Sequence, residues 1–303
     1  MIKFYKNRKI FFAISAFVLA LGIIFMFVNG VKLSIQFKGG AILKYSYEGE
    51  IEVNEVAKLS SDILNRIAEV QITEDIATKS KKIVLNLSGN SGLSAEEQET
   101  LNEVLAEKFS ENNLVLAESN VVEPFIGKTF LIKGISAVLI SAVMIVVYVW
   151  VRFKRISGLS AGIAALIALF HDVVIVFFMF VIFRIPLNDS FIAVVLTIIG
   201  YSINDTMVIY DRIRENRRLF PKMNVEELVD TSITQSMSRS INTTVTTVIS
   251  TIVLYIFAQL YDIESIKFFA LPMAFGMISG CYSTICIAGP VWVMWQKRKK
   301  TAA

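Results

Sequence analysis

Apolar and polar positions alternate on two scales along this chain. Six runs, at 10–28, 131–151, 159–183, 191–210, 241–260 and 268–295, are almost free of charge. Each is long enough to cross about 30 Å of hydrocarbon as a helix. The stretch 30–128 between the first two runs reads instead like an ordinary water-facing domain. There, 33–47 has strand character interrupted at Gly39-Gly40, and 53–68 places Val56, Leu59, Ile63 and Ile67 at helical spacing. Strands are predicted over 69–78 and 81–87, with a turn at Gly89-Asn90-Ser91-Gly92. Ser94 and Glu97 form a capping-box pattern that opens a helix to about Phe109, and 114–122 closes the domain as a strand.

The order β-α-β-β-α-β is the ferredoxin-like arrangement. The expected fold is therefore a polytopic α-helical membrane protein with six transmembrane helices and one extracytoplasmic α+β domain between helices 1 and 2. Its segments are a cytoplasmic N-terminus with helix 1 (1–29), the α+β domain (30–128), a five-helix membrane domain (129–296) and a basic tail (297–303). The first apolar run is too long for a signal-peptide core, and no A-x-A-like site follows it, so it reads as an uncleaved anchor.

Basic residues fix the expected orientation. They cluster at Lys3, Lys6, Arg8 and Lys9; at Arg152, Lys154 and Arg155; at Arg212, Arg214, Arg217, Arg218, Lys222 and Arg239; and at Lys297, Arg298, Lys299 and Lys300. With six spans these clusters fall on one side, which the positive-inside rule makes cytoplasmic. Both termini are expected there, in a cell membrane. Composition agrees: 54% of the 303 residues are apolar and 18% charged, with a mean hydropathy of +0.60, against about 25% charged in soluble domains. The net charge of +4 averages −6 over 30–128 with +10 elsewhere. It therefore gives no reason to expect nucleic acid as a partner. Cys281 and Cys286 have neither disulfide-framework nor metal-ligand spacing.

Candidate chemistry lies in the ionisable residues within the spans. An aspartate at a helix centre costs around 2.5–3.5 kcal/mol on insertion scales, so it marks a proton or ion site. Asp172, beside the single histidine His171, lies in the third run, and Asp205 in the fourth. Arg239, at the start of the fifth run, is the expected partner of Asp205. From it runs a hydroxyl stripe of Ser240, Thr243, Thr244, Thr247, Ser250 and Thr251 on one helix face. Alternative readings stand beside these: Asp172 as a hydrogen-bonded packing residue, Asp205–Arg239 as a static ion pair, and the stripe as ordinary small-residue packing. Gly158/Gly162 and Gly276/Gly280 read as close helix packing. No catalytic pair is present, so an enzyme is not expected, and no cofactor or metal is implied.

Four motifs occur in order. They are His171-Asp172-Val173, Gly200-Tyr201-Ser202-Ile203-Asn204-Asp205, Asp211-Arg212-Ile213-Arg214-Glu215-Asn216, and Thr234-Gln235 followed by Arg239. With six spans around one inserted domain, the chain resembles the SecF family, the smaller membrane subunits of the SecD–SecF protein-export complex, over nearly its whole length. Two departures are Gln36-Phe37-Lys38-Gly39-Gly40, where the family has Asp-Phe-x-Gly-Gly, and the reduced Val122-Glu123-Pro124-Phe125-Ile126-Gly127. The resemblance implies coupling of a proton or sodium gradient to late steps of protein export, with H⁺ or Na⁺ as the transported ion. The implied partners are a SecD-like subunit, the SecYEG channel and an unfolded polypeptide driven by SecA, all at the lipid bilayer. It also implies that Asp205, Arg239 and Asp172 serve ion coupling, that Tyr201, Ser202, Asn204, Asp211, Thr243 and Thr247 support them, and that Phe37, Gly39 and Gly40 form a domain hinge. A resistance-nodulation-division exporter of small molecules or lipids, and a purely structural scaffold, are the competing readings.

Overall fold

The computed structural model describes residues 3–34, 37, 40–66, 68–74, 81–88, 93–122, 124–261 and 263–301. In chain order the elements are α1 (Arg8–Asn29), β1 (Gly40–Tyr47), α2 (Val53–Leu64), β2 (Ala68–Glu74), β3 (Lys81–Ser88), α3 (Ala95–Lys108) and β4 (Val115–Val122). There follow α4 (Pro124–Arg152), α5 (Gly158–Ile182), α6 (Asp189–Leu219), α7 (Val225–Leu260) and α8 (Glu264–Ser283). A π-helical turn, Thr284–Ala288, leads from α8 into α9 (Gly289–Thr301). Among the described residues six helices are long and apolar enough to cross a membrane, the sixth running through α8, the π turn and α9. The chain is a multi-pass membrane protein.

The β strands form one antiparallel sheet in the order β2-β3-β1-β4. Period-2 alternation sends Ala41, Leu43, Tyr45 and Tyr47 of β1 and Ile83, Leu85 and Leu87 of β3 to one face. There they meet Val56 and Leu64 of α2 and Leu101 and Leu105 of α3. The capping box that opens α3 is complete: Glu97 N–H donates to Ser94 Oγ at 3.1 Å, and Ser94 N–H to the Glu97 carboxylate at 2.9 Å. Asn65, at φ 50°, ends α2 in the left-handed region, a conformation Asn tolerates.

In the helical bundle α5, α6 and α8 occupy the centre. α1, α4 and α7 lie outside them with Phe17, Leu139, Ile140 and Ile249 among their exposed apolar side chains. Close approach depends on missing side chains. A Cβ on Gly22 would sit 2.1 Å from a ring carbon of Phe178, so α1 lies directly on α5. On α8, a Cβ at Gly280 would come within 3.2 Å of Ser202, which brings α8 and α6 near enough for short hydroxyl side chains to bond across them.

Several boundaries differ from the sequence expectation for local reasons. The strand predicted over 33–47 begins only at Gly40; upstream, Leu33 makes a single parallel bridge to Leu187. Leu187 N–H donates to the Lys32 carbonyl at 2.8 Å and Ser34 N–H to the Leu187 carbonyl at 2.9 Å, so this segment satisfies its backbone on the α5–α6 connection. The basic link between the fourth and fifth spans is mostly helix, since α6 runs to Leu219 and α7 starts at Val225. At about 1.5 Å per residue both helices exceed the hydrocarbon thickness. The last span is interrupted by the π turn. Ile67, Glu123, the Gly89–Gly92 turn and the motif residues Gln36, Lys38 and Gly39 lie outside the described residues.

Gly22→Leu should unseat α1 from α5 and destabilise the protein by about 1–3 kcal/mol, the usual cost of overpacking. Thermal unfolding of the detergent-solubilised full chain measures this, and an unchanged Tm would contradict the contact.

Candidate functional site

Asp172 faces inward from the middle of α5 and is fully buried. Its Oδ2 accepts hydrogen bonds from Ser202 Oγ of α6 and Ser283 Oγ of α8, both at 2.7 Å. Its Oδ1 accepts from Ser279 Oγ of α8 at 2.7 Å and lies 3.3 Å from His171 Nδ1. Three serine hydroxyls thus donate to the two carboxylate oxygens, with the His171 ring beside them. His171 is tilted against the Tyr282 ring at 6.1 Å, and Tyr282 donates to the Phe11 carbonyl of α1 at 2.6 Å.

Asp205, one turn along α6 from Ser202, has a different environment. It is buried, and Ser240 Oγ of α7 donates to Oδ1 at 2.5 Å. Oδ2 is buried with no hydrogen-bond partner among the described residues. The expected Asp205–Arg239 ion pair is not made. Arg239 is one residue from Ser240, so on a helix it points about 100° away, and it is exposed. Arg239 lines an open groove of about 1210 Å³ between α4, α6 and α7, together with Tyr148, Asn204, Asp211 and Ser236.

The other candidates fall into place around these two acids. Tyr201 donates to Thr244 Oγ1 at 2.9 Å and lies 3.4 Å from Thr247 Oγ1, joining α6 to α7. The hydroxyl stripe divides: Ser240, Thr244 and Thr251 are buried, whereas Thr243 and Ser250 are exposed. At about 100° per residue, Ser240, Thr244 and Thr251 fall within about 40° of one another, whereas Thr243 and Ser250 lie about 60–80° to one side of Ser240 and face outward. Ser202 serves Asp172 rather than Asp205. Asn204 is exposed in the groove. Asp211 pairs with Arg152 at 3.1 Å and Arg214 at 2.8 Å. Phe37 is buried among Ile185, Leu187 and Val194 at the other end of the bundle, Gly40 opens β1, and Gly39 lies outside the described residues.

Sequence reasoning missed Ser279, Ser283 and Thr284 on the last span. The i, i+4 spacing of Ser279 and Ser283 was a usable signal for a polar face, but its target was not. It also missed Asp230, which is buried on α7 and accepts the Tyr5 N–H at 3.0 Å. That bond, with the Lys297–Glu226 ion pair, gathers the N-terminal segment, the start of α7 and α9 at one end of the bundle.

The central acids and their partners lie within residues 101–298, which match the family described as protein export membrane protein SecD/SecF, C-terminal. The chain belongs to the SecD/SecF family. It is 32% identical to protein translocase subunit SecF of Alicyclobacillus acidocaldarius, covering 98% of this chain and 94% of that one. It is 31% identical to the SecF subunit of Petrotoga mobilis, covering 99% and 98%. The same family includes longer members: the chain spans only 34% of the Brucella abortus SecDF, at 32% identity over 90% of its own length. Among solved structures, SecDF of Thermus thermophilus, titled a translocon-associated membrane protein, superposes with a TM-score of 0.80 at 30% identity. That match covers 98% of this chain and 39% of that one.

Tyr201→Phe removes the hydroxyl that joins α6 to α7 beside Asp205. The loss should be about 0.6–1.7 kcal/mol, the range measured for interhelical hydrogen bonds in a bilayer protein. Unfolding in mixed detergent micelles reads it, and no change would mean that the contact carries no net stability.

Proposed function

We propose that this chain is a SecF-type accessory subunit of Sec protein translocation that couples an inward flow of H⁺ or Na⁺ to late steps of protein export. In this reading a SecD-like chain supplies the part of the longer SecDF relatives that this chain does not span. SecYEG is the channel, and the cargo is an unfolded polypeptide already driven forward by SecA. Both termini lie in the cytoplasm of a cell with the chain in its cytoplasmic membrane. The α/β domain, with its ferredoxin-like order of elements, lies outside, and the segment around Phe37, Gly39 and Gly40 is its hinge.

One observation carries the coupling role: Asp205 has a buried oxygen with no hydrogen-bond partner among the described residues, and its neighbour Asn204 lines the groove that holds Arg239. A carboxylate with one hydrogen bond and one bare oxygen has room to take up a cation. Neutralising it weakens its attraction to Arg239 and its hold on Ser240, so the α6–α7 contact differs between the two charge states. The relatives are named as protein translocase subunits, which favours protein export over a small-molecule or lipid exporter. A static scaffold gives no reason to leave half of a carboxylate unpaired within a span.

Asp205→Asn keeps the volume and the acceptor for Ser240 but removes the exchangeable charge. With its SecD-like partner in inverted membrane vesicles, it should assemble normally and lose most of the gradient-stimulated export of a secretory preprotein. ATP-driven export should persist. Stimulation equal to wild type under an imposed gradient would falsify the coupling role.

A further inference from the structure

We propose that Asp172 is a positioning residue: it keeps α6 in register with α5 and α8 through the ion cycle and does not carry the ion. The inference rests on the reading of Asp205 as the group that gains and loses the cation. It separates two intramembrane acids that look equivalent in sequence.

Asp172 is fully hydrogen-bonded as an anion. Ser202 and Ser283 donate to Oδ2 and Ser279 donates to Oδ1, beside which His171 Nδ1 lies at 3.3 Å. Taking up a proton would require a serine hydroxyl to turn from donor to acceptor, a change that Oδ2 of Asp205, with no partner among the described residues, does not require. The donors are serines, whose short side chains require the helix backbones to be close, and the missing side chain of Gly280 against Ser202 permits that approach. The α6 turn is also held from its main chain. The Ser202 carbonyl accepts from Thr206 Oγ1 at 3.0 Å and from Thr284 Oγ1 at 3.5 Å, and these two hydroxyls lie 2.9 Å apart. Thr284 opens the π turn, a feature often found at functional sites. Asp205 follows Ser202 by three residues on the same helical face, so where Ser202 is fixed determines where Asp205 meets Ser240.

Asparagine distinguishes an anchor from a carrier. Its carbonyl oxygen accepts as Oδ1 does, and its amide donates to serine oxygens once their hydroxyls rotate, so the cross-helix bonds survive while the titratable group is lost. In inverted vesicles with the SecD-like partner, a secretory preprotein and an imposed ion gradient, Asp172→Asn should retain at least about half of the stimulated export, with the same pH midpoint. The Ser279→Ala/Ser283→Ala pair keeps the carboxylate but removes both α8 donors. It should cut stimulation severalfold and move the pH midpoint, because the turn that carries Asp205 loses its fixed position. The idea is overturned if Asp172→Asn loses stimulation as fully as Asp205→Asn, or fails to co-purify with the partner. It is equally overturned if the serine pair leaves both rate and midpoint at wild-type values. Stimulation that survives Asp205→Asn is a separate outcome, which removes the coupling role itself.

Discussion

A polar group inside hydrocarbon must find its hydrogen bonds within the protein, and this constraint organises the bundle. Asp172 meets it in full, by drawing two serines of α8 and one of α6 onto a single carboxylate. Asp205, a turn away, meets it in part, through one hydrogen bond from Ser240 among the described residues. The central position of α5, α6 and α8 follows from the first acid, since three helices that share one buried anion cannot separate without exposing it. α7 joins that core beside Asp205 through Ser240 and through Tyr201 with Thr244, and further along through Arg212 and Asn216 of α6, which hold Gln235 and Ser232.

Long-period features were legible in the sequence. Apolar runs of about 20 residues report the spans because an unpaired backbone excludes every structure but a helix there. Ser94 and Glu97 report the start of α3 because the capping box is local to four residues. The alternation in β1 and β3 reports which side chains meet α2 and α3. Features that depend on two distant segments were not legible. Leu33 reads as strand and is strand-like, but its partner is Leu187 in the connection between α5 and α6. Arg212 to Leu219 reads as a basic link because charge suits a loop, yet Arg212 and Asn216 both hold Gln235 and so extend two helices side by side.

The site shows the same division. The sequence placed Asp172, Asp205 and Arg239 in adjacent spans but left open which groups they meet, and proximity in sequence misassigned the partner of Asp205. Arg239 and Ser240 are neighbours in the chain, and only one of them turns inward. The arginine lines the groove instead. Ser279 and Ser283 drew no expectation because nothing local reveals that a carboxylate lies opposite.

Magnitudes link this asymmetry to the proposed coupling. One proton crossing 100 mV releases about 2.3 kcal/mol, and a pH unit adds about 1.4 kcal/mol. An interhelical hydrogen bond in a bilayer is worth roughly 0.6–1.7 kcal/mol. Hydrogen bonds to a charged group are worth about 1.5–3 kcal/mol each, so a single ion supplies enough to break the one at Asp205, and not enough to break the three serine bonds to Asp172. An element that responds to one ion has to be held by few contacts and mounted on something held by many. Asp205 with Ser240 fits the first description and the α5–α6–α8 core fits the second. The movement that an ion can drive here is thus a change at the Asp205–Ser240 contact between α6 and α7, made against a core that keeps its packing.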